Sequence, residues 1–184
     1  KLEAERLVRS FHEQGLINAV IVRPANVTGP GSVWVRDIVE RFRGLFVPFI
    51  DQGKYSASLV YVDNLVDGLI LAGTTADAAG NTYHVRDDWD VTWNRYLTDL
   101  GAMVGRRPRF NIPFSVAWKL GEAFEAALTP LGIRPPITRL AAGVMGRDND
   151  VDTTKAKTEL GWSTRVSYEQ ALAEIRDWVD MHGE

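Results

Sequence analysis

The sequence predicts an α/β fold built on a parallel sheet, and three observations carry that prediction. Ala19, Val20, Ile21 and Val22 form an unbroken apolar run rich in β-branched residues, which suits a parallel strand buried on both faces. Ahead of it, Ala4, Leu7, Val8 and Phe11 repeat at helical spacing, giving one apolar stripe. Further along, Ser58 to Gly68 reads as a strand running directly into a helix. With 184 residues, 45% of them hydrophobic and 24% charged, the chain can bury a core and fits one domain or a domain and a half.

Composition also removes several function classes. A net charge of −3 gives no electrostatic reason to expect nucleic acid or an anionic membrane as partner. There is no cysteine, so disulfides, thiolate metal sites and a cysteine nucleophile are excluded. His12, His84 and His182 are far apart and form no ready metal pair, so no metal is expected. No apolar run approaches the roughly 18 residues needed to span a bilayer, and Lys1 to Arg6 is no signal peptide. The expected location is the cytoplasm.

Taken in order, the first helix ends at Gly15 and has no capping residue before its stripe, which predicts that the same helix has earlier residues. The strand that follows stops at Pro24, which has no amide hydrogen for the ladder. Asn26 then stands just beyond the strand's end, and Gly29-Pro30-Gly31 bends the chain before a helix starting near Val33. In an open α/β sheet the carboxyl end of such a strand is where ligands sit. The helix over 33–43 sets Ile38, Val39 and Phe42 against Arg36, Asp37, Glu40, Arg41 and Arg43. Leu45 to Ile50, interrupted by Pro48, reads as a loop or short edge strand, and Asp51 to Lys54 as a turn.

After the strand near Leu59, Asp63 is the expected N-cap of the next helix. Asn81 to Val85 is a further strand, with His84 packed in it. Thr92 caps a helix with Trp93, Tyr96, Leu97, Leu100 and Val104 on its inner face, ended by Gly105. Pro108 to Pro113 is extended. Ser115 begins a helix carrying Val116, Leu120, Phe124 and Leu128, broken by Pro130. Ile137 to Val144 reads as helical. Asp152 or Thr153 caps a short helix that Gly161 stops, so that Trp162 folds onto its domain. Ser167 and Gln170 make a capping box for a last helix that buries Ala171, Leu172, Ile175, Trp178 and Val179.

Several of these segments carry a family resemblance. Arg23-Pro24-Ala25-Asn26-Val27-Thr28-Gly29-Pro30 resembles the Arg-Pro-x-x-Val-Tyr-Gly-Pro segment of the extended short-chain dehydrogenase/reductase family, the NAD(P)-dependent epimerases, dehydratases and reductases, with Thr28 in place of Tyr. Val60-Tyr61-Val62-Asp63-Asn64-Leu65 is similar to the family's Val-x-Val-Asp-Asp/Asn-Leu/Val, most closely in the reductase and hydroxysteroid-dehydrogenase-like branches. Asp152 to Trp162 resembles Asp-x-Ser/Thr-Lys-Ala-x-x-x-Leu-Gly-Trp/Tyr. Lys1-Leu2-Glu3-Ala4-Glu5 looks like the Lys-x-x-x-Glu that follows the catalytic Tyr of Tyr-x-x-x-Lys, which places that tyrosine upstream of Lys1.

The resemblance implies the C-terminal portion of a Rossmann-like parallel sheet plus a small, mostly helical substrate-binding domain. Residues 1–30 and 59–90 would belong to the first and 31–58 and 91–184 to the second. It implies NAD or NADP as cofactor, Lys1 as a catalytic residue that tunes the tyrosine and bonds the nicotinamide ribose, and Pro24, Ala25, Asn26 and Val27 along the nicotinamide. Asn26, Ser32, Val33 and Trp34 would face a small-molecule substrate. A homo-oligomer is expected. Nucleotide-sugar enzymes commonly carry an Arg five residues before the Val-Asp pair; here Ala57 stands there, which points to a carbinol or carbonyl substrate other than a nucleotide sugar. No Gly-x-x-Gly-x-x-Gly or Gly-x-Gly-x-x-Gly turn is present, so the part that would hold the cofactor pyrophosphate is not in this chain, which alone is expected to bind dinucleotide weakly or not at all. The alternative is a non-catalytic, dinucleotide-binding redox sensor or scaffold of the same fold.

Overall fold

The computed structural model describes residues 1–44 and 47–182, so Leu45 and Phe46 of the apolar stretch before Ile50 lie outside the described residues. In chain order the elements are α1 (Leu2–Glu13), β1 (Ile21–Pro24), β2 (Asn26–Thr28), α2 (Val33–Gly44), β3 (Phe49–Ile50), β4 (Leu59–Tyr61), α3 (Val62–Thr74), β5 (Thr82–Val85), α4 (Trp93–Met103), β6 (Asn111–Ile112), α5 (Phe114–Leu128), α6 (Arg139–Met145), α7 (Thr154–Leu160) and α8 (Tyr168–Met181). The chain divides into two compact units. Lys1–Thr28, Leu59–Trp89 and Val151–Ala171 form the first; Gly29–Ser58, Asp90–Asp150 and Leu172–Glu184 form the second.

In the first unit β1 runs parallel to β5, Ile21 opposite Thr82 and Pro24 opposite Val85, while β2 runs parallel to β4. The strand order is that of an α/β fold, as the sequence predicts. Burial of β1 on both faces is corrected: Ile21 and Val22 are half-buried and Arg23 and Pro24 exposed, because among the described residues β5 is its one ladder partner. Helix α1 ends as expected at Gly15 (φ 70°), where Leu16 N–H donates to Phe11 O and Gly15 N–H to His12 O, the paired bonds of a Schellman motif. It buries no residue of its own. Leu2 and Leu7 stay 61% and 58% exposed.

What closes the first unit is a buried polar network at the start of α3. Asn64 is fully buried. Its Nδ2 donates to Asp87 Oδ1 at 2.8 Å and to Val166 O at 3.3 Å, and its Oδ1 accepts from Arg165 and Val166 N–H at 3.1 and 3.0 Å. Trp162, buried against Val60, Tyr83, Val85 and Leu160, donates its indole N–H to Asn64 O at 2.9 Å. Trp162 thus packs as anticipated, with Gly161 at φ 67° ending α7. The expected cap at Asp63 is not formed. Tyr61 holds the N-cap position, without a side-chain bond, and its N–H is satisfied by Asp87 Oδ2 at 2.7 Å.

The second unit pairs β3 with β6 in parallel and sets α4 under α2, with Trp93, Tyr96, Leu97 and Leu100 fully buried. Thr92 caps α4 by accepting from Arg95 N–H, and Ser167 and Gln170 form the reciprocal capping box of α8, at 2.9 and 3.2 Å. Helix α5 starts at Phe114, after Pro113, and not at Ser115. Its inward face is also rotated from the expected one. Val116 and Leu120 are 43% and 40% exposed, and the buried positions are Ala117 and Gly121. Small residues win there because α6 crosses closely: a Cβ on Gly121 would stand 2.7 Å from Arg139 N.

A left-handed turn at Asp51–Gly53 locks β3 to its neighbours. Asp51 Oδ1 accepts from Phe114 N–H at 2.9 Å, Gln52 O accepts from Asn94 Nδ2 at 3.0 Å, and Gln52 and Gly53 have φ of 63° and 64°. A Cβ on Gly53 would lie 2.6 Å from Asn94 N, against nothing within 4 Å at Gly132, whose φ is 69°. Gly132→Ala should therefore cost only the left-handed backbone term, about 1 kcal/mol. Gly53→Ala should cost that term plus a collision with backbone, about 3 kcal/mol in all. Urea denaturation of both variants checks the difference; equal losses would mean that the turn is not seated on α4.

Candidate functional site

The residues singled out by sequence fall in two places. In the first unit Lys1 is exposed at the amino end of α1, its carbonyl accepting from Glu5 N–H at 2.9 Å. Glu5 and Arg23, one from each of two resembling segments, form a bidentate pair: Arg23 Nη2 donates to Oε1 at 2.7 Å and Nε to Oε2 at 3.1 Å. That hydrogen bond is the main reason why the Glu5 carboxyl lies below the usual carboxylate range and the Arg23 guanidinium above its own. Arg9, bound to the same carboxylate, also donates to Thr82 Oγ1 at 2.5 Å. Polar contacts therefore anchor α1 to β1 and β5.

At the carboxyl end of β1, Pro24 is exposed and Ala25 donates its N–H to Val85 O at 2.9 Å. Asn26 does not begin a loop. It opens β2, half-buried and in register with Leu59, because the parallel partner β4 recaptures the backbone after the proline. Val27 is half-buried against the core of the unit, and Thr28 is buried. His84 sits in β5 with Nε2 3.5 Å from Arg23 Nη1.

In the second unit Ser32 is tied into the start of α2, its N–H donating to Gly29 O at 3.1 Å and its Oγ accepting from Val35 N–H at 3.3 Å. Val33 and Trp34 line a cavity of about 280 Å³. The Trp34 ring also packs against Trp93, centroids 5.2 Å apart and the planes tilted by 52°. The structure thus gathers Pro24, Ala25, Asn26 and Val27 at one strand end and Val33 and Trp34 at one cavity. Sequence reasoning missed the Asn64 and Asp87 pair; Asn64 lies beside the Asp63 taken as a cap, and a buried asparagine has no periodic signature. Among the described residues no His, Asp or Glu group could hold a metal ion, and no helix is long and apolar enough to cross a membrane.

Residues 1–85 match the NAD dependent epimerase/dehydratase family. The chain is 32% identical over 181 residues to 4-hydroxy-2-methyl-3-oxo-4-farnesyl-3,4-dihydroquinoline-1-oxide ketoreductase of Stigmatella aurantiaca, covering 96% of this chain and 53% of that protein. It is 25% identical over 192 residues to 3beta-hydroxysteroid-dehydrogenase/decarboxylase isoform 1 of Arabidopsis thaliana, covering 96% and 44%. In fold it is similar to the UDP-glucose 4-epimerase of Thermotoga maritima, solved with UDP-glucose, with a TM-score of 0.68 at 23% identity over 100% of this chain and 53% of that one. The chain spans about half the length of the relatives that it matches.

The electrostatics of the first unit centre on Asp87, 1% exposed. Burial pushes its carboxyl up to about 6 from an ordinary 3.8, although N–H donors from Tyr61 and Asn64 and the Thr164 hydroxyl favour the charged form. A carboxyl raised on folding holds its proton more tightly in the native state. Its contribution is therefore complete below pH 3.8 and lost as pH rises through about 6. The loss amounts to about 3 kcal/mol. Asp87→Asn cannot titrate, so its unfolding free energy relative to the parent should climb by up to about 3 kcal/mol between pH 4 and 7. Urea denaturation across that range reads it; a constant offset would mean that Asp87 is ionised throughout.

Proposed function

We propose, given that the chain belongs to the extended short-chain dehydrogenase/reductase family of NAD-dependent epimerases and dehydratases, that it forms the C-terminal, substrate-binding part of an NAD(P)-dependent oxidoreductase. Its substrate is a small molecule with a carbinol or carbonyl carbon, other than a nucleotide sugar. The observation that carries the substrate claim is Ala57, fully buried with its N–H donating to Val91 O at 2.8 Å. Where nucleotide-sugar members commonly place a phosphate-binding arginine, this chain carries a buried methyl group with no positive charge. The relatives named as reductases and sterol dehydrogenases support the oxidoreductase class.

The residues present fit one end of a dinucleotide. Pro24 is exposed and Ala25 and Asn26 are half-buried at a strand's carboxyl end, an uncharged surface suited to a nicotinamide, which when bound supplies the hydride chemistry. Lys1 would lower the pKa of a tyrosine four residues upstream, the general acid/base toward the substrate oxygen. As the sequence resemblance implies, Asn26 would orient substrate, and Ser32, Val33 and Trp34 would be substrate-facing residues. The exposed Leu2, Leu7 and Phe11 of α1 support association with a second copy.

Two measurements test this reading. In the intact protein, Asn26→Ala should lower turnover or raise KM by about 10-fold, the equivalent of about 1.4 kcal/mol, with little change in Tm. A variant that melts several degrees lower yet keeps normal kinetics would remove Asn26 from the site. The 184-residue chain by itself should be inactive and bind NAD or NADP weakly or not at all by calorimetry, since it has no glycine-rich turn for the pyrophosphate; micromolar affinity would overturn that assignment. Absence of turnover in an intact protein that binds dinucleotide tightly would favour the sensor or scaffold alternative.

A further inference from the structure

The cavity of the second unit is mostly apolar, walled by Trp34, Ile38, Pro48, Leu97, Leu140 and Met145. At about 280 Å³ it has room for about nine water-sized groups at about 30 Å³ each, the length of a medium acyl chain or the bulk of a small ring system. The charged groups on its walls are Arg41, Arg134 and Asp37, which leaves one positive charge in excess. Asp37 is paired through Oδ2 with Arg134 Nη2, while Arg36 Nε lies 3.6 Å from Oδ1, beyond hydrogen-bond distance. Glu40 attracts Arg134 but does not line the cavity.

Of the two cations on the cavity's walls, Arg41 has no carboxylate within ion-pair distance among the described residues. It is half-buried and donates to the carbonyl of Pro136. Burial first, and then repulsion from Arg134, push its guanidinium below the usual arginine range, and Asp37 offsets this only in part. A desolvated cation beside apolar walls is the seat for an anion attached to an apolar body. Asp37 Oδ1 is buried with no hydrogen-bond donor among the described residues, so an anion is disfavoured at that wall and directed to Arg41.

We propose that this cavity binds an amphiphilic carboxylate, its apolar chain or ring system between α2, α4 and α6 and its carboxylate on Arg41. The inference rests on the reductase reading given above and deepens it, since it makes the substrate an apolar molecule bearing an acid group.

Decanoate, 1-decanol and UDP are the probes, titrated by calorimetry into the intact protein that contains this chain. Decanoate should bind saturably, each methylene added from hexanoate upward raising affinity by at most about fourfold. Ala141→Phe, which fills the cavity, and Arg41→Gln should each weaken decanoate at least about 10-fold, and Arg41→Gln should leave 1-decanol unchanged. If Ala141→Phe does not fold, Leu140→Asp at a 75% exposed position places a repelling charge on the same wall. Decanoate binding that ignores both wall variants, or 1-decanol binding as tightly as decanoate, overturns the inference. No decanoate binding together with the Asn26→Ala kinetic loss would sink the cavity assignment and keep the reductase reading. UDP binding abolished by Ala141→Phe would sink both.

Discussion

The first unit depends on one buried amide. Asn64 uses both of its side-chain atoms and its own carbonyl to hold three separated stretches: the turn after β5 through Asp87, the segment 165–166 through its Oδ1, and Trp162 through the indole N–H. Every one of these groups would be costly to bury alone. Together they satisfy one another, and the arrangement leaves little freedom in how 151–171 returns onto β4 and β5. A buried network of this kind stabilises less than apolar packing would, but it admits one register only. It explains why residues so late in the chain pack with the first unit and not with the helices that precede them.

Tyr61 and Asp87 extend the same logic to the start of α3. A helix whose first N–H groups have no side-chain cap must find acceptors elsewhere, and here a carboxylate from the segment just after β5 reaches the Tyr61 amide. Burying that carboxylate has an electrostatic cost, visible in its raised pKa. Trp89 finishes the cluster, with its indole on Val166 O and its ring against Tyr61 and Tyr168.

Legibility in the sequence followed the range of the physics involved. Local devices were readable: the Gly15 and Gly161 helix ends, the Thr92 cap, the Ser167 and Gln170 box and the inner face of α4 all occupy the places that their spacing indicates. Readings that depended on a distant partner failed. The inward face of α5 is set by the close approach of α6 at Gly121, not by its largest apolar residues. Asn26 looked like a loop residue because Pro24 ends one ladder, and nothing local reveals that β4 starts another. At the candidate site, Trp34 was legible as a bulky residue beyond a strand end, whereas Asp37 and Arg41 read as part of the charged face of α2, and nothing local reveals that Arg134 and the residues up to 141 line the same cavity.

Helix α1 deserves a different kind of reading, because its attachment is polar. With no buried side chain and its hold on the sheet made by Glu5, Arg9 and Arg23, it lacks the apolar burial that gives most helices their resistance to opening. Its amides belong at the low end of the free-energy scale for local unfolding, where hydrogen exchange proceeds without the rest of the domain opening. Such contacts weaken further as salt screens them. Lys1 therefore sits at the start of an element whose position responds to ionic strength, so the role proposed for its ammonium would depend on how firmly α1 is held and not on Lys1 alone.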